Sequence, residues 1–456
     1  MFAKETYIQR RALLKKAVGS GVLLFLGNDE TGLNYEDNTF RFRQDSTFLY
    51  FFGLSFAGLS AVIDIDEDRE IIFGDELTID RIVWMGTQST LKEKSERVGV
   101  TETQPATCFI DYLHKVPEKR KVHYLPPYRA EHKLKLMEWL GIPIAKQEAS
   151  VEFIRAVVNQ RNYKSDEEVT EIEKACDITA DMHIAAIKML RPGMKECEVV
   201  AVMEAIAVAA GGDLSFRTIA TINGQILHNH SYANTTKSGN LFLIDAGAET
   251  AMGYAGDMSS TIPVDKKFTA RQKEVYEIQN AMHRGAVETL CPGIPYREVY
   301  DITACIMTDG LKDLGLMKGN TEEAVREGAH ALFYPHGLGH MMGLDVHDME
   351  NLSEVWVGYN GEAKSKQFGR RSIRLARPLE LGFVLTVEPG IYFIPELIDL
   401  WKSQGLFRDF INYDVVESYK DFGGIRNEED YLIIGTGARR LGKKIPLTPK
   451  EVEDLR

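Results

Sequence analysis

Leu243-Ile-Asp-Ala-Gly-Ala-Glu249 and the residues running on to Asp257 hold the most concentrated chemical signal in the chain. Asn240 to Ile244 is a short, nearly continuous apolar strand after the turn-like Thr236-Lys-Ser-Gly239, and it delivers Asp245 at its end, ahead of Gly247. Gly256-Asp257 supplies a second carboxylate just before the strand-like Ser260-Thr-Ile-Pro-Val264, so a hairpin would set Asp245 and Asp257 side by side. Carboxylates held that close repel unless a proton or a cation lies between them. A lone strand-end aspartate is usually a turn or cap residue. The plain reading fails here because His or Glu recurs in Gly/Pro-punctuated apolar segments downstream: Tyr334-Pro-His-Gly-Leu-Gly-His340, Asp345-Val-His-Asp348, Leu385-Thr-Val-Glu-Pro-Gly390 and Gly424-Ile-Arg-Asn-Glu428.

Asp245, Asp257, His340, Glu388 and Glu428 make a hard, oxygen-rich donor set of four carboxylates and one imidazole. Such a set suits Mn²⁺ or a similar divalent ion better than a thiolate or all-histidine zinc site. Its summed charge of −4 is intolerable in a buried cavity without cations, whereas two divalent ions neutralise it. A carboxylate-bridged pair of metals activates water and stabilises the oxyanion formed when an amide is attacked. His336-Gly-Leu-Gly-His340 has the i, i+4 histidines of a zincin helix but no Glu after the first His, and two glycines in five residues disfavour a helix. One ligand and one substrate-contacting histidine on an extended segment fits better.

These residues need a large scaffold, and 456 residues allow two or three domains. The composition is globular, and a formal charge of −13 argues against nucleic acid or an anionic membrane as the main partner. Cys108, Cys176, Cys197, Cys291 and Cys305 are scattered and odd in number, with no C-x-x-C, which fits a reducing cytoplasm. Arg10-Arg11 and Lys15-Lys16 ahead of Gly21 to Gly27 imitate a signal peptide, but that apolar run is too short and lacks a cleavage motif, so it reads as the first core strand with no export and no membrane span.

Residues 1–155 read as an α/β domain. A charged helix from Tyr7 to Val18 precedes strands at Gly21 to Leu26, Thr47 to Phe52, Leu59 to Ile65 and Glu70 to Phe73, with helices near Thr90 to Val98 and Ala130 to Leu140. Ser89-Thr-Leu-Lys92 matches the S-x-x-K nucleophile pattern without its partner motifs and reads as a helix start. The polar Asn159 to Ser165 marks the boundary region. A long helix then runs from Asp166 to about Leu190, stops at Arg191-Pro-Gly193, and is followed by a second from about Glu196 to Gly211. About one hundred residues on, a helix from Ala270 to Leu290 ends in Cys291-Pro-Gly293 and another runs from Tyr296 to Leu311, which suggests an internal duplication about a pseudo-two-fold axis, its halves facing a cleft.

Asp245-Ala-Gly247, Gly256-Asp257, Pro335 to His340, Leu344 to Asp348, Thr386-Val-Glu-Pro-Gly390 and Gly424 to Glu428, taken in order, resemble the metallopeptidases of the pita-bread fold, in the branch of aminopeptidase P and prolidase (Xaa-Pro dipeptidase). Phe42-Arg-Gln-Asp-Ser46 with Phe48-Leu-Tyr50 and Gly53 resembles that branch's creatinase-like N-terminal domain, which methionine aminopeptidases lack. The resemblance implies an α+β protein: an N-terminal creatinase/aminopeptidase P-like α/β domain over 1–155 and a pseudo-two-fold pita-bread catalytic domain over 156–456. It implies a dinuclear site of Asp245, Asp257, His340, Glu388 and Glu428, usually filled by Mn²⁺ and sometimes Co²⁺ or Zn²⁺, whose bridging hydroxide attacks the bond before proline. By the same resemblance Glu388 shuttles the proton to the leaving proline nitrogen, His347 stabilises the tetrahedral intermediate, and His228 and His336 line the proline side. Arg426 and Tyr392 support the site, and Arg374 binds the C-terminal carboxylate of a dipeptide.

The expected substrate is an Xaa-Pro dipeptide or longer Xaa-Pro peptide, and the expected assembly a homodimer or tetramer. Two departures stand out. The step from Asp245 to Asp257 is one residue longer than the family pattern, and the stretch Trp356 to Leu381 is long and basic, nearer to prolidases, although such a run also reads as a solvated loop. A metal-free creatinase-like hydrolase and a non-catalytic binding protein on the same scaffold are the alternatives, and the intact ligand positions argue against both.

Overall fold

The computed structural model describes residues 1–456, which divide into two compact units: Met1–Arg161 with Met349–Trp356, and Asn162–Asp348 with Val357–Arg456. The expected division at 155/156 falls inside the helix Val151–Arg161, which stays whole in the first unit. No helix is long and apolar enough to cross a membrane.

The first unit is built on a five-stranded mixed sheet, in the order Glu102–Gln104, Arg69–Phe73, Ser60–Asp64, Val22–Leu26 and Val122–His123. Its three central strands bury nearly every side chain, as sheets covered on both faces do. Thr47 to Phe52, expected as a strand, is a helix (Ser46–Phe52). Its aromatic composition is strand-like, but local chemistry prevails: the Asp45 side chain accepts from the Phe48 N–H at 2.9 Å, and Gly53, at φ 62°, closes the last turn. The S-x-x-K segment opens the helix Leu91–Glu96, where Thr90 and Glu93 form a capping box and the Ser89 hydroxyl accepts from Arg97 at 2.9 Å.

The helix Lys4–Val18 is locked to this unit by Arg11, whose side chain is wholly buried. Its guanidinium donates to the Phe51 and Val98 carbonyls at 2.9 Å each and to Glu70 Oε2 at 2.7 Å.

The second unit repeats itself. The helices Asp166–Met189 and Glu196–Ala209 are joined through Pro-Gly, as are Ala270–Thr289 and Tyr296–Asp313. The hydrogen bonds at the two joints correspond. Gly193 N–H donates to Thr236 O at 2.9 Å and Glu196 N–H to Asn234 O at 3.0 Å; Gly293 N–H donates to Leu379 O at 2.7 Å and Tyr296 N–H to Arg377 O at 3.0 Å. Each helix pair accompanies a three-stranded sheet: Ile219–Thr221, Leu241–Ala246 and Met258–Pro263 in one half, Val384–Val387, Glu429–Ile434 and Gly437–Arg440 in the other.

Replacing Arg11 with Met should strand two buried carbonyls and leave Glu70 to Lys15 alone, at a cost of roughly 3 kcal/mol. Thermal unfolding of Arg11→Met should show a clearly lowered transition, and an unchanged melting curve would remove Arg11 from this role.

Candidate metal centre and substrate pocket

Strand register places the first two acids. Leu241–Ala246 pairs antiparallel with Met258–Pro263 so that Asp245 faces Ser259, and Asp257, two residues before Ser259, is its diagonal neighbour on the same face. The longer connection is taken up by an irregular turn with Thr250 N–H to Tyr254 O at 2.9 Å and Gly253 N–H to Thr250 O at 2.8 Å. Gly247 is obligatory there, because a Cβ would lie 1.9 Å from the Gly256 carbonyl oxygen.

The two glutamates occupy facing breaks between ladders. Val387 pairs with Glu429 and Gly390 with Arg426, so Glu388-Pro389 and Asn427-Glu428 oppose one another. Gln279, fully buried on the helix Ala270–Thr289, holds both breaks: its amide donates to Pro389 O at 2.8 Å and accepts from Asn427 Nδ2 at 2.5 Å. The extended segment with His340 runs beside Val384–Val387, with Thr386 N–H to His340 O at 3.0 Å and Glu388 N–H to Leu338 O at 2.8 Å. His336 to His340 is therefore not helical, as its glycines predict.

All five expected ligands line one cavity of about 560 Å³, together with His228, His336, His347, Arg374 and Arg426. One donor atom each from Asp257, His340 and Glu428 lies within 4.8 Å of the others, and all three residues are buried. His340 Nε2 is 3.4 Å from Asp257 Oδ2 and 3.9 Å from Glu388 Oε1. Asp245 stands apart in one respect: its Oδ2 accepts from Arg426 at 2.5 Å. Tyr392 is the remaining expected residue, buried behind the cavity, where its hydroxyl accepts from Arg426 at 2.8 Å and meets His336 Nε2 at 2.9 Å.

Hydrogen bonds assign the imidazole tautomers. His340 Nδ1 lies 3.1 Å from the Met341 carbonyl, which only accepts, so Nδ1 carries a proton and, in the neutral ring, Nε2 presents a lone pair to two carboxylates. Lone pair facing carboxylate is repulsive unless a cation lies between, and a carbonyl-oriented histidine with a free nitrogen is the usual form of a metal ligand. Asp257 Oδ1 points the same way, being buried with no hydrogen-bond partner. Burial, and then repulsion among the acids themselves, pushes Asp257 and Glu428 well above the ordinary carboxylate range. Burial also raises Glu388, against the pull of His340 and Arg426. The donor set thus fits divalent cations.

His336 is different. Nδ1 faces the Gly337 carbonyl at 2.8 Å and Nε2 accepts a hydrogen bond from the Tyr392 hydroxyl at 2.9 Å, so both nitrogens are engaged. Burial and then Arg426 push its pKa down to about 3, which keeps it neutral. The rings of His347 and His340 are 4.0 Å apart, and His228 is exposed at the cavity mouth.

Several residues without a sequence signal complete the site. Ser259 accepts from Arg426 Nε at 3.0 Å and donates to Glu428 Oε2 at 2.7 Å, linking two ligand segments. Asp430 accepts from the Asp257 N–H at 3.0 Å and from Cys176 Sγ at 3.1 Å, and burial raises its pKa to about 7. In Glu428-Glu429-Asp430 it resembles part of a solvated acidic run; only strand alternation, which puts Glu428 and Asp430 on one face, hints otherwise.

Residues 170–434 match Metallopeptidase family M24, and residues 7–124 match the aminopeptidase P N-terminal domain. The Xaa-Pro dipeptidase of Homo sapiens is 31% identical over 450 residues, which cover 96% of this chain and 89% of that protein. A probable Xaa-Pro aminopeptidase of Sordaria macrospora is 28% identical over 442 residues, covering 96% and 91%. The solved structure of Pseudomonas aeruginosa aminopeptidase PepP superposes with a TM-score of 0.83 at 27% identity, covering 100% of this chain and 98% of that one. With both its domains and its acid-and-histidine cavity accounted for, this chain belongs to metallopeptidase family M24, on the pita-bread fold of aminopeptidase P.

Proposed function

We propose that this protein is a metal-dependent exopeptidase that hydrolyses the bond between an N-terminal residue and a following proline, in Xaa-Pro dipeptides and short Xaa-Pro peptides. The observation that carries the reading is the His340 Nε2 lone pair directed at Asp257 and Glu388 in a cavity shared with Glu428 and Asp245. Asp245, Asp257, His340, Glu388 and Glu428 would hold two divalent ions, Mn²⁺ foremost, with Co²⁺ or Zn²⁺ as alternatives. When bound, such ions generate a nucleophile from water at neutral pH and polarise the scissile carbonyl.

The chain's own residues supply the rest. Glu388, whose carboxyl is raised by burial, accepts a proton at its carboxylate and returns it to the proline nitrogen as that nitrogen leaves. His347, its ring tilted against that of His340, donates to the developing oxyanion. His336, neutral and with both nitrogens occupied, forms a fixed wall rather than a proton donor, and His228 closes the mouth. Arg426 and Tyr392 hold Asp245 and His336 in place through a continuous run of hydrogen bonds. Proline's amide has no N–H, so the bond must be recognised by shape and by its flanking ends. Arg374, on the cavity wall with Ser372, takes the C-terminal carboxylate of a dipeptide.

The same reading places the protein in the cytoplasm as a homodimer or tetramer. Five free cysteines support a reducing compartment. The helix Ile79–Met85 buries none of its residues and exposes Ile79, Val83, Trp84 and Met85, which supports self-association.

Chelation should abolish cleavage of Ala-Pro, and added Mn²⁺ should restore it; purified protein without bound Mn, Co or Zn, and without activation by them, would sink the two-metal reading. Glu388→Ala should lose at least about a thousandfold in kcat, since it removes ligand and proton carrier together; retained hydrolysis would refute both roles. With Ala-Ala as control, Ala-Pro and Ala-Pro-Ala separate dipeptidase from aminopeptidase. Arg374→Ala should raise KM for Ala-Pro about tenfold more than for Ala-Pro-Ala, and an equal loss on both would return that loop to solvated surface.

A further inference from the structure

Beside Arg374 and Arg426 the catalytic cavity carries a third arginine, which the chemistry above does not use. Arg217 lines the same cavity as the expected ligands but lies at its exposed rim, in the turn that leads into the strand Ile219–Thr221. Arg374 sits deeper, close enough for its charge to act on His228, His336 and Glu388, whereas the charge of Arg217 acts on Glu204.

Arg217 is held in position without being consumed. One guanidinium nitrogen donates to the His230 carbonyl at 2.9 Å, and the guanidinium carbon lies 5.7 Å from the centre of the Tyr232 ring. The loop 228–232 that supplies both contacts is itself tied down: the Tyr232 hydroxyl donates to the Thr218 carbonyl, and Asn229 Nδ2 donates to Thr221 Oγ1 at 3.0 Å. No carboxylate of the chain forms an ion pair with Arg217, and a guanidinium has five N–H donors, of which one is used here. Phe216, Ile219 and Leu227 line the cavity beside it, so the rim offers an apolar wall ending in a fixed cation.

We propose that Arg217 forms a second carboxylate-binding subsite at the mouth of the catalytic cavity, separate from Arg374. The inference rests on the Xaa-Pro peptidase reading and extends it to substrate class: peptides bearing one carboxylate more than Arg374 can take, or one placed farther from the scissile bond. That carboxylate comes from an acidic side chain on the N-terminal residue or from the C-terminus of a peptide longer than two residues.

The test uses the Mn²⁺-loaded full chain and compares kcat/KM for Gln-Pro, Glu-Pro and Gln-Pro-Ala in the native protein and in Arg217→Ala and Arg217→Lys. In Arg217→Ala, hydrolysis of Gln-Pro should stay within about twofold, while a substrate whose extra carboxylate reaches the rim should fall about five- to tenfold, mostly through KM. Arg217→Lys should recover part of that loss, and raised salt should shrink it. A loss confined to Glu-Pro identifies the side chain as the source; one confined to Gln-Pro-Ala identifies the peptide C-terminus; a loss on both admits either. No loss, or an equal loss on all three substrates, would overturn the subsite while leaving the peptidase reading intact. Native protein that cleaves none of the three would overturn both.

Discussion

Buried negative charge is the constraint on which the catalytic unit depends. Asp257 and Glu428 are almost fully enclosed, with Asp245 and Glu388 on the same cavity, and an interior of low dielectric cannot hold four such carboxylates without countercharge. Arg426 offsets only part of it, through its contact with Asp245. The remainder is left uncompensated within the chain, with the histidine lone pair and the unpartnered oxygen of Asp257 adding to it, an arrangement costly for the chain alone and favourable around cations. Folding free energy is thereby invested in a site that bound cations, or protons in their absence, relieve.

The backbone around that site explains how such strain is held. Each ligand segment is tied to another by groups that do no chemistry. Gln279 joins the Glu388 and Glu428 breaks, Ser259 joins Arg426 to Glu428, and Asp430 grips the Asp257 amide. The amide of Gln279 and the hydroxyl of Ser259 fix geometry without adding charge to a cavity already overloaded with it, whereas Asp430 adds a further acid. The repeated helix–Pro-Gly–helix joints accompany two sheets that share one cavity, so ligands distant in the chain arrive within strands or on short segments fixed directly beside them.

Much of this architecture was legible from pattern alone. The four long helices of the catalytic unit and the 241–263 hairpin announce themselves through amphipathic spacing, Pro-Gly stops and a strand-end acid. The first unit was less transparent. Ser46–Phe52 reads as a strand by composition, yet an aspartate cap and a left-handed glycine decide for a helix, because capping satisfies backbone donors that aromatic propensity does not. The boundary helix Val151–Arg161 likewise conceals the division of units, since its polar end continues a turn that packing, not composition, completes.

The amino-acid sequence by itself determined the chemistry: which acids and histidines are present, in what order, and that glycines and prolines hold them in extended segments beside strands. It determined the family, because that ordered set survives independently of side-chain positions. What only the tertiary structure decided were the tautomer of His340, the engagement of both nitrogens of His336, the roles of Ser259, Gln279 and Asp430, and the placement of Arg217 on the cavity rim. Most of these depend on partners far off in the chain, and even the neighbouring carbonyls that orient His336 and His340 do so only in the folded backbone, so such hydrogen bonds leave no trace in local periodicity.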